Sequence, residues 1–434
     1  MTRGARDYTL TLTEAAEALA ERQLTALELA EAQLTRVRTT DAAVCAWETL
    51  DPDHVRREAA RWDATRVPGP LGGIGIGVKD IIDTNDLPTT IGSPIFADRR
   101  PAHDAACIAR VRSAGAFVFG KTVTTPFAFM DPGKTRNPWD PAHTPGGSSS
   151  GSAAAVAVGH VTAAIGTQTN GSVIRPAAFC GVVGFKPTRG AIPTAGVQPF
   201  SEMFDTIGTL TRTVEDAARL ASALADPGRI AGTLAPVAHP PRFAYLGDFP
   251  WTVQECDADD VVEAAVTQLR TRADVVPLDI PPAWHGAKSI MRSIMLFEAA
   301  RNLSDLQSRE RARLSSAVNA GLDEGRAISA AAYAAACGER ERAIAFFTQW
   351  LEGFDAVLAP SAPGPAPRGL ATTGDPSCCT LWSLTGFPAL TIPIGLAGNR
   401  MPIGMQLAAP AGADDRLLAV AAWCEARLPF PGLL

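Results

Sequence analysis

The sequence lacks the short motif of one familiar kind of hydrolytic site. Its six histidines include no H-E-x-x-H pair, so a zinc protease has no local support. The G-x-S-x-G pattern occurs once, at residues 147–151, centred on Ser149 within a run of three serines. We expect Ser149 to be a backbone partner near the helix that follows, not the nucleophile of an α/β-hydrolase elbow. The eight cysteines show no C-x-x-C spacing, which argues against a metal or redox motif and against a disulfide framework. We expect a reducing compartment and neither a metal nor an organic cofactor.

Long apolar runs and a strong charge of either sign are also absent. No stretch approaches ~18 uninterrupted apolar residues, and the N-terminus MTRGARDYTL has no apolar signal core. The formal net charge of -6 argues against nucleic acid or an anionic membrane surface as a partner. We expect a soluble cytoplasmic protein, monomeric or homodimeric, that acts on a small molecule.

The composition and patterning indicate a large α/β fold. Hydrophobic residues make up 46% of the 434 residues and charged residues 19%, enough for a substantial core. Strand patterns alternate with helix patterns, which indicates a mixed or mostly parallel sheet covered by helices on both faces. Capping boxes predict helices after Thr11 and Thr25, and Asp51-Pro52 predicts a third. The run GIGIGVKD predicts a strand that ends at Lys79.

Further elements follow from the same patterns along the chain. Helices are predicted near 104–114, from Ser152, and at 213–225, 257–273, 287–354 and 414–428. Strands are predicted at AFVFG, FAYLG, VVPLDI, AVLAPS, PALTIPIG and PIGMQLAAP.

Residues 144–190 are unusually rich in glycine, serine and small apolar residues. Two glycine turns in this stretch carry Ser148 and Ser172. A serine hydroxyl needs a base to become a good nucleophile, and Lys79 is the candidate base. Lowering a lysine pKa from ~10.4 to ~7 costs roughly 4 kcal/mol, which burial can supply. The backbone N–H groups of Thr169, Asn170, Gly171 and Ser172 precede a short helical turn, where such groups bind negative charge.

At these motifs a resemblance to a known family becomes specific. GVKDIID, GKT, TRNPWDP, GGSSSGS, GSVIRPAAFCGVVGFKPTRG, FDTIGTLTRTVEDAA and GFPALTIPIG follow one another along the chain. In this order they resemble the amidase signature family of Ser–cisSer–Lys hydrolases. The similarity covers about residues 10–430 and is weakest between about 228 and 350.

The resemblance implies one amidase signature domain over residues 1–434, arranged as an α/β unit around a twisted mixed sheet. Within it we expect four parts: an N-terminal helical brace (10–65), a catalytic core (66–227), a variable, mostly helical substrate-side region (228–354) and C-terminal strands and a helix that complete the sheet (355–434).

The resemblance also implies roles for individual residues. Ser172 would be the nucleophile and Lys79 the final base. Ser148, 24 residues before Ser172 and in cis-peptide geometry, would be the bridging serine. Backbone N–H groups of Thr169 to Ser172 would form the oxyanion hole. The implied activity is hydrolysis of a small aliphatic or aryl amide, with side activity on esters or carbamates and without a cofactor.

Three positions depart from the common family pattern. Gln168 stands where aspartate is frequent, Asn170 where glycine is frequent and Pro126 where an acidic residue is frequent. Met130, Gln168 and Arg175 are candidate substrate-binding residues, although Arg175 is more simply explained as a tie between loops.

Two other functions stay open. The same triad would serve a glutaminase-type subunit of an amidotransferase, which passes ammonia to a partner protein. A non-catalytic binding protein on the same scaffold is the other, and the intact set of Lys79, Ser148 and Ser172 argues against it.

Overall fold

A computed structural model describes residues 7–66, 69–253 and 256–432 of the chain. Residues 1–6, which belong to the N-terminal segment predicted to have no signal core, lie outside these ranges. Within them, no helix combines the length and apolar character needed to cross a bilayer.

The helices alternate with the strands along the chain, as the sequence predicts. They are α1 Leu12–Ala20, α2 Ala26–Val44, α3 Pro52–Thr65, α4 Ala106–Ser113, α5 Ser150–Ala157, α6 Ile174–Cys180, α7 Val214–Leu224, α8 Cys256–Arg270, α9 Ala287–Asn302, α10 Ser304–Glu310, α11 Ser316–Ala327, α12 Ala330–Trp350, α13 Thr380–Thr385 and α14 Asp414–Glu425. We call α9–α12 the helical insert.

The strands of the described ranges form one mixed sheet of eleven. They are β1 Trp47–Thr49, β2 Gly75–Lys79, β3 Phe117–Thr122, β4 Ala163–Gln168, β5 Val183–Lys186, β6 Thr206–Thr211, β7 Arg242–Tyr245, β8 Asp274–Pro277, β9 Ala356–Pro360, β10 Ala389–Leu396 and β11 Pro402–Ala408. Their order is β1-β3-β2-β4-β6-β5-β10-β11-β9-β7-β8. The predicted α/β fold with a mixed sheet is confirmed.

The sheet brings the ends of β2 and β4 together. β2 runs parallel to both β3 and β4, with Val78 opposite Ile165. Parallel neighbours end at the same edge of a sheet, so Lys79 at the end of β2 comes to lie beside the last residues of β4. The two segments predicted to carry the chemistry therefore meet at this edge.

The N-terminal helices begin where the sequence predicts. Thr11 and Thr25 each form a complete capping box, with Glu14 and Glu28 respectively. The Asp51 side chain accepts a hydrogen bond at the start of α3. Each cap satisfies an N–H group that would otherwise have no partner in the helix.

Small residues let α5 lie directly on the sheet. All eight residues of this helix are buried, and it begins at Ser150, two residues before the predicted start. A Cβ atom on Gly151 would lie 2.2 Å from the Ala46 carbonyl oxygen, so only glycine fits there. This close approach explains part of the small-residue content noted in residues 144–190.

Candidate active site

Lys79 ends β2 with its amine completely buried. Its Nζ donates hydrogen bonds to Thr167 Oγ1 at 2.7 Å and to the Thr167 carbonyl oxygen at 3.3 Å. Nζ also lies 2.7 Å from Ser148 Oγ. The side chain has no solvent exposure. The structure thus brings two of the three predicted catalytic residues into direct contact.

The surroundings of Lys79 favour the neutral amine. Burial sets its pKa well below the ordinary value, and the nearby Asp205 carboxylate opposes that shift. A neutral amine has two N–H donors and one lone pair. Thr167 can receive both donors, which leaves the lone pair for the hydroxyl proton of Ser148. This arrangement suits a general base.

Arg175 holds the segment that precedes Ser148. The peptide bond between Gly147 and Ser148 is cis. The Arg175 guanidinium donates to the Gly147 carbonyl at 2.7 Å, to Thr373 Oγ1 at 3.1 Å and to the Gly374 carbonyl at 3.0 Å. Arg175 therefore ties two loops together, which is the simpler of the two explanations offered above. A direct contact between Arg175 and substrate stays a prediction.

The serines next to Ser148 are bonded to the sheet. Ser149 Oγ donates to the Thr167 carbonyl at 3.2 Å, and Ser150 Oγ donates to the Val123 carbonyl at 3.3 Å. Ser152 Oγ donates to the Ile165 carbonyl at 3.1 Å. These hydroxyls fix the position of α5, whereas the Ser148 hydroxyl faces the amine.

Ser172 lies in the turn between β4 and α6. Its carbonyl accepts the backbone N–H of Ser149 at 3.2 Å, which joins the two serine turns. Within the described part of the chain, no hydrogen bond links Ser172 Oγ to Ser148 Oγ. Proton transfer between them requires the two hydroxyls to come within hydrogen-bond distance, and catalytic contacts often tighten only with substrate bound.

The backbone of this turn has free donors. The N–H groups of Asn170, Gly171 and Ser172 make no hydrogen bond with other residues that the structure describes. Unpaired N–H groups that precede a helix are suited to a developing oxyanion. We define residues 169–172 as the oxyanion turn.

Asp205 anchors the oxyanion turn. Its Oδ1 accepts the Thr169 hydroxyl at 2.6 Å, and its Oδ2 accepts the backbone N–H groups of Phe200 and Ser201. Burial raises the pKa of Asp205 to about 6 in spite of these bonds and of the nearby Lys79. A cavity of about 10 Å³, the size of one water molecule, lies among Thr167, Thr169 and Asp205.

Gln168 caps helix α6. Its Oε1 accepts the N–H groups of Val173 and Ile174 at 2.8 and 3.1 Å, and its Nε2 donates to Ser383 Oγ at 3.2 Å. Both ends of the buried amide are thus occupied by the protein. A substrate contact would break this cap, so the substrate-binding role proposed for Gln168 stays a prediction without geometric support.

Asn170 lies in the oxyanion turn, two residues before Ser172. Its main-chain carbonyl accepts the Ser383 hydroxyl, which fixes the turn. Its Oδ1 is buried and has no hydrogen-bond partner in the described part of the chain. An amide with an unpaired atom two residues before Ser172 makes Asn170 a candidate contact for substrate.

An aromatic wall lies between the oxyanion turn and the helical insert. Phe129 stacks on Phe200 at 5.0 Å between ring centroids, and its ring lies against Gly321 of α11. Asp131 accepts a hydrogen bond from Ser315 at the start of the same helix. Met130, the next residue after Phe129, is 58% exposed. Its contact with substrate stays a prediction.

Comparison with known proteins identifies the family. The family model described as Amidase matches residues 28–418. The chain belongs to the amidase family. A crystal structure described as an amidase aligns with 97% of this chain and with its own full length, with a TM-score of 0.88 and 32% identity.

Two further relatives show the range of proteins that this chain resembles. A glutamyl-tRNA(Gln) amidotransferase subunit from Roseiflexus castenholzii is 33% identical over 95% of this chain and 94% of its own. The peptide amidase from Stenotrophomonas maltophilia is 28% identical over 96% of both chains, with a TM-score of 0.81. The predicted resemblance is confirmed, and the amidase family acts on C–N bonds.

Three residues of the site, Thr167, Asp205 and Ser383, were not predicted. Asp205 lies in the motif FDTIGTLTRTVEDAA and Thr167 in the glycine- and serine-rich stretch 144–190, but neither segment indicates what the carboxylate or the hydroxyl contacts. Ser383 lies more than 200 residues from Asn170, so no local pattern connects them.

Proposed function

We propose that this protein hydrolyses a carboxamide through an acyl-enzyme on Ser172. The observation that carries the proposal is the completely buried Lys79 amine, 2.7 Å from Ser148 Oγ. Burial holds the pKa of this lysine well below its ordinary value. The amine is therefore more readily neutral, and a neutral amine can accept a proton. No other described lysine has a serine hydroxyl of either glycine turn within hydrogen-bond distance.

The reaction follows from this contact in two halves. Lys79 takes the proton of Ser148 while Ser148 takes that of Ser172, and Ser172 Oγ bonds to the carbonyl carbon. The backbone N–H groups of the oxyanion turn hold the oxyanion. Ser148 returns a proton to the nitrogen as the C–N bond breaks, and ammonia or an amine leaves. Water then cleaves the acyl-enzyme by the reverse relay and releases a carboxylic acid.

For an isolated enzyme we infer a small aliphatic or aryl amide as substrate. The aromatic wall of Phe129 and Phe200 favours a substrate with an apolar acyl group. It lies close to the oxyanion turn, because Phe200 donates its backbone N–H to Asp205, which anchors that turn. Esters and carbamates need the same nucleophile and oxyanion donors, so we expect side activity on both classes. The Asn170 amide would contact the polar part of the substrate.

The curated relatives favour a second candidate more strongly than they favour an isolated amidase. The relative from Roseiflexus castenholzii is named as one component of a glutamyl-tRNA(Gln) amidotransferase, and it aligns with 95% of this chain. In that role the triad would hydrolyse glutamine and a partner protein would receive the ammonia. The two candidates share the chemistry at Ser172 and differ in the acyl group.

A substrate screen of the purified full chain separates the candidates. Hydrolysis is measured with aliphatic amides, aryl amides, glutamine, carbamates and esters, beside Ser172→Ala and the matched control Ser150→Ala. Turnover of simple amides without glutamine turnover supports the isolated amidase, and glutamine turnover alone supports the amidotransferase component. Full activity of Ser172→Ala on any substrate would contradict both.

A further inference from the structure

Glu298 joins the helical insert to the loop at residues 199–205. It lies in α9 and is 7% exposed. Its Oε1 accepts the hydroxyl of Tyr333 in α12 at 2.8 Å. Its Oε2 accepts Ser201 Oγ at 2.5 Å and the backbone N–H of Met203 at 3.0 Å. One carboxylate thus connects two helices of the insert with a loop of the catalytic core.

The same loop is fastened to the oxyanion turn. The backbone N–H of Ser201 donates to Asp205 Oδ2 at 3.0 Å, and that of Phe200 donates at 2.7 Å. Asp205 Oδ1 then accepts the Thr169 hydroxyl at 2.6 Å. Direct hydrogen bonds therefore run without interruption from Tyr333 to the first residue of the oxyanion turn.

Two more contacts limit movement of the loop. Asn302, near the end of α9, donates to the Phe200 carbonyl at 3.3 Å. The Phe200 ring stacks on Phe129 in the aromatic wall. Because packed interiors transmit small displacements rather than absorb them, a shift of α9 moves the loop.

We propose that Glu298 is a positioning residue for the hydrolysis argued above, on which this inference rests. It sets the place of Asp205 and, through Thr169, the direction of the oxyanion donors. The helical insert is therefore part of the machinery that aligns the transition state. Loss of this link lowers kcat more than it raises KM, because oxyanion donors bind the transition state better than the substrate.

The test uses Glu298→Gln and the milder Tyr333→Phe in the full chain. Glu298→Gln keeps the shape of the side chain but replaces one carboxylate oxygen, a hydrogen-bond acceptor, with an NH₂ group that faces the donors of the neighbouring residues. Tyr333→Phe removes only the hydrogen bond from the Tyr333 hydroxyl to Glu298 Oε1. The matched control is Tyr245→Phe, which removes a tyrosine–glutamate bond to Glu263 in another part of the molecule. Measurements are kcat and KM on the best substrate and the rate at which a fluorophosphonate labels Ser172.

We expect Glu298→Gln to lower kcat and the labelling rate about 10-fold or more, with KM within about 2-fold, since small displacements of donors are costly. Tyr333→Phe should have a smaller effect of the same kind, and the control none. Rates for both variants within about 2-fold of the parent, or equal losses in the control, would overturn the proposal. A parent chain that the fluorophosphonate does not label would instead contradict the proposed function.

Discussion

The amine of Lys79 lies 2.7 Å from the hydroxyl of Ser148, and both residues are buried. Thr167 supplies the other two partners of the amine, both as acceptors. In the proposed mechanism this contact serves catalysis only while the amine is neutral, and burial is the feature that favours the neutral form. Burying an amine that is protonated in the unfolded chain lowers the free energy of unfolding, and this effect can be measured directly.

Replacing Lys79 should abolish hydrolysis and change how stability depends on pH. The folded-state pKa of Lys79 is lowered, so the unfolded chain binds its proton more readily. Stability of the parent therefore rises with pH from the folded pKa up to about 10.4, by at most about 1.4 kcal/mol per pH unit. Relative to Lys79→Met, the free energy of unfolding of the parent should increase between pH 7 and 9. Denaturant unfolding at both values checks this; a difference that does not change with pH would indicate a charged Lys79.

Ser148→Ala should remove the proton bridge and leave the fold intact. We expect kcat to fall by about 10²- to 10⁴-fold, the usual worth of a positioned proton-transfer group. Ser150→Ala is the matched control, because Ser150 is equally buried but bonds only to the Val123 carbonyl. Steady-state kinetics and thermal unfolding of both variants provide the comparison. Equal activity losses in the two variants would show that the serine segment acts only through packing.

Asp205→Asn should move the pH profile of the enzyme. The negative charge of Asp205 raises the pKa of Lys79, so its removal should shift the acid limb of kcat/KM to lower pH. The plateau should also fall about 10-fold, because the amide NH₂ faces the N–H groups of Phe200 and Ser201. The control is Asp216→Asn, a buried aspartate that accepts a backbone N–H from Thr13. An unchanged acid limb would mean that Asp205 does not influence Lys79.

Arg175→Lys should slow turnover of all substrates alike. A lysine cannot hold the Gly147, Thr373 and Gly374 oxygens together, so the segment before Ser148 is less well fixed. We expect kcat to fall about 10-fold or more, with KM nearly unchanged. Kinetics on a neutral amide and on an amide that bears a carboxylate test this. A KM increase confined to the carboxylate substrate would instead identify Arg175 as a substrate-binding residue.

Much of the fold could be predicted from local sequence patterns. The capping boxes at Thr11 and Thr25, the strand ending at Lys79 and the helical stretch at 287–354 are confirmed. Each rests on interactions between residues a few positions apart. Local chemistry of this kind is visible in a single sequence.

Some strands and helices that were not predicted are stabilised by packing against distant parts of the chain. β6 (Thr206–Thr211) has every residue buried, threonines included, so it shows no alternation of polar and apolar residues. β1 has three residues, too few for a pattern. α13 (Thr380–Thr385) was also not predicted. Such elements are stabilised by neighbours distant in sequence, which propensity does not reveal.

The candidate site likewise contains residues that local motifs indicate and residues that only the folded structure reveals. Motifs and a family resemblance could indicate Lys79, Ser148 and Ser172. The bonds of Asp205 to Thr169 and of Glu298 to Ser201 join residues 36 and 97 positions apart. Contacts of this range are formed by the folded chain and have no local signature.

Trapping the acyl-enzyme tests the central claim most directly. The full chain is mixed with an activated aryl ester, quenched in acid within the first turnover and mapped by peptide mass spectrometry, beside Ser172→Ala. We predict a single acyl adduct on the peptide that contains Ser172, absent from the variant and formed far more slowly in Lys79→Met. An adduct on Ser148 or on another residue, or hydrolysis that persists in Ser172→Ala, would contradict the account.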